Sequence, residues 1–153
     1  MALPAYLEQG QGDTAVFLLH GVGGGKEAWV HNQTALSAQG FKTIAWDMPG
    51  YGASLPLAAC SNFALAGALK ILIDHVGAKR NVLLGHSMGG MIAQELAALH
   101  PSLVHGLILH STSPAFGKGD GAWQQQFLLS RFAPLDQGLG MAGLALQLVP
   151  GMF

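Results

Sequence analysis

Leu83-Leu84-Gly85-His86-Ser87-Met88-Gly89-Gly90-Met91 sets a serine among glycines at the end of an apolar run. Gly85 to Gly89 satisfies G-x-S-x-G, a spacing that calls for a strained turn from strand to helix with the serine hydroxyl lifted above a sheet. Side chains at the two flanking glycines would strike the neighbouring strand and helix. With Gly at 22 of 153 positions, composition alone supplies such a match in roughly one chain in six, so the motif needs context. Asn81 to Gly85 reads as a buried strand. Met88, Ile92, Leu96 and Leu99 then line one face of a helix that Pro101 closes, and Gly90 falls where helix and sheet must approach. On this reading Ser87 is a candidate nucleophile.

Working outward, strand-like runs alternate with segments of helical period, the pattern of a parallel sheet covered on both faces, so the fold class is α/β with about five strands. Tyr6 to Gln9 reads as a short strand and Thr14 to His20 as a buried one ending at Gly21. Lys26 to Gln39 is helical in pattern, and Gly40 stops it. Phe41 to Asp47 is the next strand, closed by Pro49, Gly50 and Gly52. Leu65, Leu69, Leu72, Ile73 and Val76 share a helical face between Ala64 and Val76, with Gly77 as a stop. Val104 to His110 is a fifth strand. Residues 1–112 are thus expected to form the core, and 113–153 a separate helical element over one end of the sheet, with helices near Trp123 to Arg131 and Leu139 to Leu148.

Charge and composition exclude several classes. A net charge of −1, with seven Lys and Arg scattered along the chain, offers nucleic acid or an anionic membrane no footprint. Residues 137–153 carry no charge but are short and broken by Gln147, Pro150 and glycines, so a membrane span is not expected. The first residues, MALPAYLEQGQGD, lack the basic and apolar blocks of a signal peptide, which makes cytoplasmic the expected location. Asn32-Gln33-Thr34 is then a chance glycosylation triplet. Cys60 is alone, and no histidine pair has a metal-ligand spacing with a third partner, so neither a metal nor a cofactor is expected. Gly21 to Lys26 fails as a phosphate loop at His20 and at Glu27. Gly138 to Gly143 fits G-x-G-x-x-G but has no strand before it.

A serine hydroxyl needs a base to take its proton and donors for the oxyanion formed on a substrate. Met88 N–H opens a helix, where free amides and the dipole favour negative charge. The glycine turn His20-Gly21-Val22-Gly23-Gly24-Gly25 offers another amide, best supplied by Val22. FLLHGVGGG, WDMPGYGAS, LLGHSMGGMIAQELAALHP and LILHSTSP, in that order over roughly residues 14 to 114, resemble the N-terminal half of the α/β-hydrolase family, closest in tone to bacterial enol-lactone hydrolases and esterases. The resemblance implies Ser87 as nucleophile, Val22 and Met88 as oxyanion amides, residues 47–52 as a structural turn, and residues from Ser113 onward as the start of a helical cap, apparently incomplete. His20, Gly21, His86 and His110 are expected to line the site, His20 and His86 through structural hydrogen bonds.

In that family the acid and then the histidine follow the serine. Here the later acids are Glu95, Asp120 and Asp136 and the later histidines His100, His105 and His110, so only Glu95 precedes a histidine, and it points away along a helix. His110 reads as packed and bonded to backbone, with approach to Ser87 as the alternative. The resemblance therefore implies a serine hydrolase for small esters or lactones, weak or inactive as this chain. The alternatives are a ligand- or partner-binding fragment of the fold, one half of a complemented enzyme, or the same fold turned to other chemistry. The open last strand also predicts self-association.

Overall fold

The computed structural model describes residues 1–115 and 121–151. The chain forms two compact units, Met1–Pro114 and Ala115–Phe153. The first holds a five-stranded sheet of β1 (Tyr6–Gln9), β2 (Thr14–Leu19), β3 (Lys42–Trp46), β4 (Arg80–His86) and β5 (Gly106–His110), in the order β1-β3-β2-β4-β5. β1 runs antiparallel to β3, and every other pairing is parallel. Three helices cross between the parallel strands: α1 (Val30–Ser37), α2 (Asn62–Val76) and α3 (Met88–Leu99). The α/β class read from the sequence is the class observed.

Alternation along β2 shows how the layers form. Ala15, Phe17 and Leu19 join Ile44, Trp46 and Leu83 under Leu65, Leu69, Leu72, Ile92 and Leu96 of α2 and α3. Val16 and Leu18 point the other way and join Ala45, with Trp29 and Leu36 packed against them. Successive strand residues face opposite sides, so a strand buried on both must be apolar throughout. That is why TAVFLL reads as a continuous run.

Local signals set most boundaries. Ser61 Oγ accepts the Ala64 N–H at 3.1 Å and caps α2, and Gly77 ends it at φ 61°. The segment expected to be one helix from Lys26 to Gln39 is instead a 3₁₀ turn, Lys26–Trp29, followed by α1. The cause is tertiary: the Lys26 N–H is drawn to Asp47 Oδ1 at 3.0 Å, beyond the end of β3. In the second unit, α4 (Ala122–Asp136) runs past Arg131 with Pro134 in its last turn, and α5 spans Gly140–Leu148. Among the described residues no helix is long and apolar enough to cross a membrane.

Because β2, β3, β4 and β5 are parallel, the turns that follow them gather at one edge of the sheet. Leu19 pairs with Gly85, and His86 with His110, which sets three of these turns level. The two edge strands, β1 and β5, are the exposed ones; in β5 Leu107, Ile108 and Leu109 are 39%, 49% and 45% exposed, so both of its faces are open. Phe17→Ala should therefore lower unfolding free energy by about 3–5 kcal/mol in urea titration, whereas Leu109→Ala should cost less than about 1 kcal/mol.

Candidate active site

Ser87 is the residue between β4 and α3, and its backbone lies at φ 52°, ψ −121°. A non-glycine side chain there costs about 1–3 kcal/mol and persists only where neighbours over-determine it. They do so here. Ser87 N–H donates to the His110 carbonyl at 3.0 Å. Ser87 O accepts the Gly90 N–H at 2.9 Å and the Thr112 hydroxyl at 2.7 Å. Ser111, between His110 and Thr112, also has positive φ, at 48°.

The glycines around Ser87 are there for contact. A Cβ on Gly85 would lie 2.5 Å from Gly90 Cα, and one on Gly89 would run into the Leu19 carbonyl oxygen. A Cβ on Gly21 would come within 2.8 Å of Ser87 Cβ, so the turn after β2 packs directly on the serine. That turn is closed by Gly24 N–H to Gly21 O at 3.1 Å, with Gly23 at φ 76°. Val22, at a middle position, keeps its N–H out of the closing bond and is 75% exposed. Met88 N–H is the first amide of α3, one of those a helix leaves without an internal partner.

His20 is buried and holds this turn from beneath. The Met48 N–H donates to its Nε2 at 3.0 Å, so the proton sits on Nδ1, which donates to Gly21 O at 2.8 Å. Tyr51 meets the ring edge-on at 5.1 Å between centroids. Six residues on, Lys26 ties the far end of the turn to Asp47 through its amide and through an ammonium–carboxylate contact of 2.6 Å. Asp47 Oδ2 also accepts the Ala53 N–H at 3.0 Å, and Asp47 O accepts the Ser54 hydroxyl at 2.6 Å. Burial favours the neutral form of Asp47, but these donors outweigh it and hold its pKa below the ordinary aspartate value. The same contact raises the pKa of Lys26.

Beside the turn opens a cleft of about 600 Å³ lined by His20, Gly21, Val22, Gly23, Gly24, Trp29, Asn32, Leu84, His86, Ile108 and His110, among others. The structure thus brings together His20, Gly21, Val22, His86 and His110, while Ser87 adjoins through Gly21 and Met88 follows it. His86 contacts the His110 ring at 5.3 Å between centroids. His110 is exposed rather than packed, and among the described residues no histidine hydrogen-bonds to Ser87 Oγ. Glu95 lies about 12 Å along α3 from Ser87, Asp136 ends α4 of the second unit, and Asp120 is outside the described residues.

An α/β-hydrolase-fold family model matches residues 14–137. The chain belongs to the α/β-hydrolase fold family. It is 37% identical over 110 residues to 2-hydroxy-6-oxononadienedioate/2-hydroxy-6-oxononatrienedioate hydrolase 1 of Dechloromonas aromatica, covering 68% of this chain and 38% of that protein. It is 36% identical over 102 residues to protein ABHD8 of Homo sapiens, covering 65% and 23%. A carboxylesterase structure from Nitrososphaera gargenis superposes with a TM-score of 0.81 at 26% identity, covering 94% of this chain and 52% of that one. This α/β-hydrolase-family chain spans less than two-fifths of the length of those two curated relatives and about half of that solved structure.

Sequence reading found the elbow and the glycine turn but missed their fasteners. Asp47 and Lys26 gave only a turn and a charge in sequence, and Thr112 stood inside the LILHSTSP block without a role of its own. In this α/β-hydrolase-family chain Gly89→Ala should abolish cooperative thermal unfolding, because its methyl has only backbone to displace. Asp47 has a depressed folded pKa, so its contribution is present above the ordinary aspartate range and is lost as pH falls through the folded value. Asp47→Asn should lower the melting temperature at pH 7 by about 5 °C or more and flatten that acid dependence, as read by calorimetry across pH.

Proposed function

We propose that Ser87 is the nucleophile of a serine hydrolase acting on small carboxylic esters or lactones. The observation that carries this reading is the strained Ser87 backbone at the carboxyl edge of the sheet, packed on a turn whose Val22 amide is free of the turn's own bond. In the proposed reaction Ser87 Oγ bonds to the substrate carbonyl carbon as its proton passes to a base. Charge on the carbonyl oxygen is met by the Val22 and Met88 amides, and the alcohol leaves with the proton returned by that base as the carbonyl reforms. Water then cleaves the acyl-serine bond and releases the acid. The similarity to a carboxylesterase supports the choice of ester over other carbonyl chemistry. Because no described histidine is bonded to Ser87 Oγ, turnover by this 153-residue chain should be weak or absent.

The second reading rests on β5. Its exposed leucines and isoleucine suit a non-catalytic partner-binding role, self-association, or an enzyme completed by another chain. Ester hydrolysis that rises faster than linearly with protein concentration, with association in light scattering, would favour it; linear dosage from a stable monomer would remove it. For the leading proposal, a fluorophosphonate probe should modify the folded protein at Ser87, located by peptide mass, and Ser87→Ala should abolish the adduct. Labelling that survives the substitution defeats the assignment.

A further inference from the structure

We propose that His86 and His110 form a two-histidine site for a divalent transition-metal ion of the zinc type, at the edge of the cleft. The two residues are 24 positions apart in sequence, yet the parallel register makes them direct partners at the ends of β4 and β5. Leu84 and Ile108, each two residues earlier on its strand, line the same cleft, so both imidazoles stand on one face of the sheet.

Their spacing suits one shared ion once each ring turns a nitrogen toward it. With metal–nitrogen bonds of about 2.0–2.1 Å, each ring centroid lies roughly 3.2 Å from the metal, and a tetrahedral angle then separates the two centroids by about 5.2 Å. The observed separation is 5.3 Å. Among the described residues neither ring is engaged in a hydrogen bond that coordination would have to break, and neither is fully buried. His20 lines the cleft too, but both of its nitrogens are committed, to Met48 and Gly21. Among the described residues no group of three His, Cys, Asp or Glu could hold a metal, so the remaining coordination positions fall to water or to a carboxylate of a bound ligand. Two protein ligands give a moderate affinity, open to exchange, in place of a closed structural site.

Titration of the 153-residue protein with Zn²⁺ in a non-coordinating buffer, followed by calorimetry, and with Co²⁺, followed by its visible absorption, tests the site. One equivalent should bind with a dissociation constant below about 1 mM, and binding should weaken in acid as protons compete for the rings. His110→Gln, at an exposed position, and His86→Gln, with its fold verified by circular dichroism, should each weaken binding by about tenfold or more. His31→Gln, on the surface of α1, should leave it unchanged. The proposal is overturned if the wild-type protein takes up neither ion at millimolar concentration, or if either cleft variant binds as the wild type does. The readout involves no turnover, so it stands or falls separately from the role of Ser87.

Discussion

The backbone of Ser87 is the constraint on which the rest of the site depends. A positive φ at a serine is unfavourable in isolation and needs opposition from several sides. The opposition comes from three places: His110 at the end of β5 with Thr112 just past it, the first turn of α3, and Gly21 beyond β2. The glycines at 85 and 89 are the steric counterpart, since the backbones of β4, α3 and β2 approach too closely there for a Cβ.

A second anchor lies one layer lower. Asp47 follows β3 and gathers donors from Lys26, Ala53 and its own turn, while the neighbouring Met48 amide holds His20 in one tautomer. The glycine turn is thereby fastened at both ends to the same short segment. This arrangement reconciles two opposed requirements. The turn must be glycine-rich to approach Ser87, and glycine-rich backbone is costly to order. Side chains outside the turn supply the order that the turn itself cannot.

The sheet is unevenly covered. β2, β3 and β4 are packed between helices and carry the core, whereas β5 is open on both faces although its exit holds the elbow. A strand that matters so much to the serine backbone thus has little packing of its own. Anything that covered β5 would stiffen the Ser111–Thr112 anchor and, through it, Ser87.

The sequence by itself determined the α/β class, the five strands and the place of the elbow. Strand burial, helix period and the G-x-S-x-G glycines are local properties, written in residues near one another. It also pointed to His20, Gly21, Val22, His86 and His110, because the turns after parallel strands must share one edge. What only the tertiary structure decided was how these parts are fastened: Lys26 breaking its helix to reach Asp47, Thr112 gripping the Ser87 carbonyl, and His86 meeting His110. Each joins separate elements in a register that no local pattern encodes, since a contact between residues 21 to 25 apart depends on where those elements are laid side by side.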